Sequence, residues 1–317
     1  MNWDQFLSYG FLVGLFAGAV RLSVPIVLAA IGETFSERAG VLNIGIEGMM
    51  VTGAFVGFVG AEKSGENLLL GMIAAALAGG LMGLIMAIFS VTFRANQTVT
   101  GISLLVLSNG IAIFFFRVFY GLTLRVPTIE PLKPIEIPLL AKIPFLGPVL
   151  FSQNAIVYAM LIVVGLSSVV LFRLPFGKWI EATGENPHAA DSVGINVVRV
   201  RYISVIVGGM LAAMGGAYLS IGELGLWTDL IIGGRGFIAL ALVNFGGWNP
   251  VGALAGGFLF GLIESTQTRL QGMGAPVPAQ LMIAMPYIMT IVVLVLASRR
   301  GGQAPAALTV PFVRGET

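Results

Sequence analysis

Long apolar runs separated by short polar links fill most of the chain. Runs at 6–31, 41–60, 68–93, 98–120, 155–174, 202–221, 230–245, 251–267 and 279–298 predict nine helices. Most are close to the roughly 20 residues that cross a bilayer core. The links GETFSERAG, AEKSGEN and RANQ hold most of the charge of residues 1–120. Two intervals are longer. Residues 121–154 carry Pro127, Pro131, Pro134, Pro138, Pro144 and Pro148, too many for a span, and predict an extramembrane loop whose 143–151 portion dips into the interface. Residues 176–198 are polar, with Lys178, Glu181, Glu185, His188 and Asp191. Within them Asn186 suits an N-cap and Pro187 a first helical position, so a two-turn helix is expected from His188 to Val193, stopped by Gly194.

Composition turns these runs into a class. Of 317 residues, 57% are hydrophobic and 10% charged, with a mean hydropathy of +0.95. Soluble domains carry roughly 25% charge. The expected fold is an all-α polytopic membrane protein of about nine transmembrane helices, with eight or ten as the bounds. The 43 glycines include Gly10, Gly14 and Gly18, a flat strip for close helix packing in lipid. The start MNWDQF lacks a basic segment, so the first run is expected to be retained. Lys and Arg counts set the orientation. Arg94, Arg173, Lys178, Arg199, Arg201, Arg299, Arg300 and Arg314 place 176–198 and the C-terminus in the cytoplasm. The N-terminus and 121–154 then lie outside. The tail from Arg299 is polar and is expected to be flexible.

Several chemistries are excluded. The chain has no cysteine, one histidine and a net charge of +2, which argues against disulfides, a zinc site and nucleic acid. No phosphate-binding G-x-x-x-x-G-K-[ST] loop is present. No catalytic constellation is found, so the chain is not expected to be an enzyme or to bind a cofactor.

The halves echo each other. IGE at Glu33 recurs at Glu223, IGIEGMM around Glu47 resembles IGGRGFI around Arg235, and LAGG recurs at Gly79 and Gly256. Four runs on either side of the fifth give the copies opposite senses, the inverted repeat of many transporters. The corresponding boundaries are a first repeat 1–120, an outer loop 121–154, a connecting span 155–174, a cytoplasmic loop 176–198, a second repeat 202–298 and a tail 299–317. Ionisable groups within spans take partners or line a polar path. Glu47 and Arg235, each about seven residues into its segment or roughly 10 Å along a helix, are pathway candidates together with Asn43. The alternative is that each ties down its own broken helix. Asn109, beside Ser108, and Asn244 are further candidates, against interhelical hydrogen bonding. The cluster Asn96, Gln97, Thr98, Thr100 suits a helix cap, and Glu264, Thr266 and Gln267 suit a solvated end.

The runs SERAGVLNIGIEGMMVTGAF, GENPHAADSVGINVVRVRY and GGRGFIALALVNFGGWNPVGALAGGFLFG resemble ABC importer permeases of the ribose and branched-chain amino acid family. The NxGxEG pattern at Asn43, Gly45, Glu47 and Gly48 is similar to the nucleoside-type branch, and the GGxDLSxG-like pattern of the sugar branch is missing. The resemblance implies a vitamin-B12-importer-like (type II) permease fold in a bacterial cytoplasmic membrane. It implies a second permease subunit, paralogous or identical, of which this chain is the shorter. It implies cytoplasmic ATP-binding subunits that use ATP and Mg, and an extracytoplasmic substrate-binding protein. It further implies that Glu185, Asn186, Pro187, His188, Ala189, Ala190 and Asp191 form the coupling helix that contacts the ATPase, with Ala189 and Ala190 letting it seat closely. The expected cargo is a nucleoside. A simple sugar or other small polar solute, or a self-sufficient secondary transporter or channel, are the alternatives.

Overall fold

Asparagine starts six of the helices. Asn67, Asn96, Asn154, Asn186, Asn196 and Asn249 each accept a backbone N–H of the first turn through the side-chain oxygen. This satisfies a donor that a helix start otherwise leaves open. A computed structural model describes residues 8–121, 127–274, 278–298 and 304–315. Its helices are α1 (Tyr9–Arg38), α2 (Ile46–Lys63), α3 (Leu68–Ala87), α4 (Gln97–Tyr120), α5 (Leu146–Leu150), α6 (Ala155–Arg173), α7 (Pro175–Glu185), α8 (Pro187–Ser192), α9 (Val197–Ala217), α10 (Arg235–Phe245), α11 (Pro250–Gly272) and α12 (Ala279–Ser298). α3 and α9 end in wider π-helical turns, Ile88–Thr92 and Tyr218–Leu224.

Each of the nine apolar runs contains a helix, and among the described residues five helices are long and apolar enough to cross a membrane: α1, α3, α4, α6 and α9, the third and ninth counted with their π-helical ends. α2 has 18 residues but carries Glu47, Glu62 and Lys63. α10 has 11 residues, which reach only about 16 Å at 1.5 Å each, half of a hydrocarbon core of about 30 Å.

The centre is a backbone-to-backbone crossing of α1 and α9. A Cβ on Gly32 would stand 2.5 Å from the Gly208 carbonyl oxygen, and one on Gly208 would stand 2.8 Å from that of Gly32. Only glycines permit this approach. α2 and α3 pack on α9, while α10 and α11 pack on α1. Gly79 and Gly83 of α3 face Gly209 and Val205, and Gly257 and Gly261 of α11 face Val27 and Ala19. Of the Gly10, Gly14, Gly18 strip, Gly14 and Gly18 meet Arg269 and Ser265 of α11, and Gly10 meets nothing. α3, α4 and α6 lie outside, and only about a third of each is buried.

The two ends of the bundle differ. At one end the 127–154 segment carries a two-stranded ribbon, β1 (Ile135–Glu136) antiparallel to β2 (Ser152–Gln153). The Phe145 N–H donates to the Tyr9 hydroxyl at 2.7 Å, and the Ile129 N–H donates to Gly225 O at 2.8 Å. At the other end lie the close of α1, the α3–α4 turn, α7, α8 and the C-terminal segment, with Thr92 and Tyr202 joined through their hydroxyls. The segments whose Lys and Arg predicted a common side therefore share one end. Residues 1–7 with their MNWDQF start, and Arg299 and Arg300, lie outside the described residues.

Four expectations change. The GETFSERAG link is not a link: α1 continues to Arg38, with Glu33, Thr34, Ser36 and Glu37 buried. Thr34 and Ser36 donate back to the carbonyls of Ala30 and Gly32, which lets polar residues stay helical inside the protein. α2 begins at Ile46 rather than 41, because residues 41–45 run irregularly across Gly101. The polar interval contains a second helix, α7, started by Pro175 and buried along Gly177, Ile180, Thr183 and Gly184. The tail is docked rather than loose: Thr309 N–H donates to Gly40 O and Ala307 N–H to Gly184 O, and Phe312 is 8% exposed.

Candidate functional site

The irregular stretch 41–45 brings Asn43 and Glu47 into the interior. The Leu42 N–H donates to Gln97 Oε1 at 2.8 Å, and the Asn43 N–H donates to Glu33 Oε1 at 2.8 Å. The Asn43 amide nitrogen lies 3.3 Å from Met49 Sδ. Glu47 stands in the first turn of α2, and its carboxylate accepts from Gly234 N–H at 2.8 Å and Gly236 N–H at 2.6 Å. These are the first amides of α10. Gly233 and Gly234 take positive φ angles of 59° and 82° to turn them inward. Gly236 has to lack a side chain, because a Cβ there would be 2.6 Å from Glu47 Cα.

Two helix starts thus converge on one carboxylate. Each start carries about half a positive charge from aligned peptide dipoles, and a carboxylate is the natural counter-charge. Glu47 does not tie down its own helix; it ties down α10, 187 residues away. Arg235 serves the approach to the same junction. Its guanidinium donates to Ile231 O at 3.1 Å and Ile232 O at 2.8 Å, and pairs closely with Glu264. The Tyr287 hydroxyl closes the turn on Gly233 O at 2.6 Å. Both Glu47 and Arg235 lie at helix starts, not two turns inside a helix as the sequence suggested.

The other candidates do not join this junction. Asn109 and Asn244 donate to carbonyls one turn back in their own helices, Leu105 O at 2.9 Å and Leu240 O at 3.5 Å. Ser108 is buried beside Gly48. Asn96 caps α4 as expected, while Gln97 reaches across to Leu42. Thr266 bonds Leu262 O within α11, and Glu264 is the partner of Arg235 rather than a solvated end. Phe116 stacks against the buried Trp227 at 4.6 Å, while Phe114 and Phe115 are exposed.

A second cluster, missed from sequence, joins the end of α1 to the α10–α11 turn. The Trp248 indole N–H donates to Glu37 Oε2 at 2.6 Å, and Arg38 donates to Trp248 O at 3.2 Å. Arg38 also pairs with Glu181 of α7 at 3.6 Å and lies over the Phe172 ring. Arg201 of α9 donates to Ala39 O at 3.1 Å and Val310 O at 2.9 Å. The available signal was register: Glu33 and Glu37 are one turn apart, in phase with the preceding apolar span.

The expected two-turn helix is present as α8, with Asn186 accepting from Ala189 N–H at 3.0 Å and Gly194 at a φ of 88°. Glu185, Asn186, His188 and Ala189 are exposed, Asp191 is half-buried, and Pro187 and Ala190 face inward. Only Ala189 of the two alanines is therefore on the outer surface.

The model for the permease component of the branched-chain amino acid transport system matches residues 15–297. The chain is 38% identical over 305 residues to the guanosine ABC transporter permease protein NupQ of Bacillus subtilis, covering 93% of this chain and 94% of that protein. It is 35% identical to the nucleoside ABC transporter permease protein NupC of Lactococcus lactis, covering 88% and 90%. It is 34% identical to the putative glucose ABC transporter permease protein TsgC13 of Haloferax volcanii, covering 90% and 91%. With a bundle of apolar helices, glycine-mediated crossings and a match over nearly its whole length, the chain belongs to the family of permease components of branched-chain amino acid transport systems.

Proposed function

We propose that this chain is the membrane-spanning permease subunit of an ATP-driven ABC importer and forms part of the translocation pathway for nucleosides. The similarity over most of the chain to permeases named for guanosine and for nucleosides carries this reading. The chain contributes a path and a mechanical linkage, and the energy comes from ATP and Mg held by partner ATP-binding subunits. An extracytoplasmic binding protein delivers the solute, and a second permease subunit, paralogous or identical, completes the pathway. The protein lies in the bacterial inner membrane, with α7, α8 and the C-terminus on the cytoplasmic side.

The packing supports an inverted repeat within nine crossings. α3 lies on α9 as α11 lies on α1, and the two LAGG runs each put a glycine on the opposite half. The stretch 225–234 and α10 together make one crossing, as discontinuous helices do in transporters. α8 is the coupling helix: it is short, capped and outward-facing at the end where the basic residues gather. Closure of the ATP-binding subunits moves α8, and the halves rock about the α1–α9 crossing. Asn43, Glu47 and Arg235 hold the junction of α2 and α10, and Asn109 and Asn244 are the polar groups left to meet a solute.

The test is uptake of labelled guanosine, other nucleosides and glucose by proteoliposomes holding the full assembly and its binding protein. ATP-dependent nucleoside uptake is the expected result. Uptake of glucose alone would overturn the cargo, and uptake by this chain without ATP would overturn the importer.

A further inference from the structure

α8 has six residues, too few to hold a helix without tertiary support. The support comes from the far end of the chain. Phe312 packs on Ala190 and Val197, forming a small apolar cluster separate from the main core. The His188 ring meets the Phe312 ring at 5.2 Å, and Arg314 Nε donates to Asp191 Oδ2 at 3.1 Å. The same segment is tied to the membrane-spanning body at further points. Thr309 N–H bonds Gly40 O beyond α1, Ala307 N–H bonds Gly184 O in α7, and Val310 O accepts from the buried Arg201 of α9. Gly184 itself sits on the Arg38 carbonyl. One segment therefore holds α8, α7, α9 and the end of α1 in a fixed relation.

Beside this brace is a cleft of about 500 Å³. The α3–α4 turn supplies Arg94, α8 supplies Asp191, the α8–α9 turn supplies Asn196, and the tail supplies Phe312 and Arg314. Arg94 is exposed, and the Arg314 side chain is 81% exposed while Asp191 is already paired to it. The net character of the cleft is basic with an apolar floor.

We propose that residues 304–315 are a working part of the ATPase-docking surface: they brace α8 against the end of α1, and with α8 and the α3–α4 turn they form a basic cleft that receives an acidic, partly apolar edge of the ATP-binding subunit. The proposal rests on the assignment of α8 as the coupling helix. It gives the tail two tasks, transmitting the displacement of α8 to α1 and adding contact area beside it. Charge complementarity names the chemistry of the partner edge, because two guanidinium groups, Arg94 and Arg314, line the cleft against one carboxylate, and Arg314 already pairs that carboxylate.

The experiment uses the complete transporter in proteoliposomes and compares three variants: Phe312→Ala, Arg314→Glu and Ala189→Trp. Insertion and monodispersity are checked for each, and Arg314→Glu, at an exposed side chain, keeps the test open if Phe312→Ala fails to fold. The expected result is uptake lowered by about tenfold in Phe312→Ala, the effect of losing an anchoring contact. Arg314→Glu should release the ATP-binding subunits at lower salt than the parent. Ala189→Trp should uncouple ATP hydrolysis from uptake. Parental uptake and salt stability in Arg314→Glu, and parental uptake in any folded Phe312→Ala, would overturn the tail's role while a defective Ala189→Trp left the coupling helix in place. Parental behaviour in all three would overturn the coupling assignment as well. Defects in the tail variants with a normal Ala189→Trp would also overturn the proposal, because docking would then bypass α8.

Discussion

Replacing Glu47 with alanine should unlatch the start of α10 without disturbing the helices that cross beside it. The carboxylate accepts two amides, at 2.8 and 2.6 Å, at a residue only 6% exposed. A hydrogen bond to a charged group contributes about 1.5–3 kcal/mol, and its loss leaves a buried donor without a partner. Two such bonds sum to about 3–6 kcal/mol, and the cost of breaking a buried charged contact bounds the loss at about 3–5 kcal/mol. Since 1.4 kcal/mol is a factor of ten, protection of the α10 amides should fall by about a hundredfold to a few thousandfold. Hydrogen exchange read by mass spectrometry over residues 232–240 measures this directly in detergent or nanodiscs. Glu47→Gln retains one carbonyl acceptor and should lose roughly two-thirds or more of the protection energy, because the one neutral hydrogen bond that remains contributes about 1 kcal/mol.

The same two variants separate a latch from a solute contact. If Glu47 is a latch, uptake and amide protection fall together across Glu47→Gln and Glu47→Ala. If Glu47 meets the solute, Glu47→Gln abolishes uptake while protection of α10 remains near parental. Exchange of Gly234 and Gly236 at the parental rate in Glu47→Ala would refute the capping of α10 altogether.

Two further substitutions test the scaffold. Gly32→Ala places a methyl 2.5 Å from Gly208 O, and should lower thermal stability in detergent by an overpacking cost of about 1–3 kcal/mol. Gly10→Ala, where nothing lies within 4 Å, should leave the melting temperature at or above the parental value, so equal losses would refute the crossing. Trp248→Phe removes the donor to Glu37 Oε2, and should cost about 1–3 kcal/mol by leaving a buried acceptor unpaired. Adding Glu37→Leu should recover part of that loss, and strict additivity of the two changes would show that the pair does not interact.

The parts of the fold legible in the sequence are those whose explanation is local. α3, α4, α6 and α8 follow from an asparagine cap and a helical run of suitable composition, both carried by neighbouring residues. The buried polar end of α1 was not legible, because a buried Glu37 and a solvated one are the same letter. What separates them is Trp248, 211 positions away. The junction at Glu47 was half legible. Glycines around a charged residue marked an interrupted helix in each half, but periodicity cannot say whether such a charge caps its own helix or another. Glu47 serves α10 because α2 and α10 begin at the same place, and two helix starts facing each other need one shared anion more than two separate ones. The tail shows the converse error. A reading of it as a polar end predicts a loose segment, yet a single aromatic, Phe312, finds the small concavity that Ala190 and Val197 leave open. In a bundle whose helices meet through glycines, the specificity is carried by a few long-range polar and aromatic contacts, and these hold the half-length α10 and the outward-facing α8 in position.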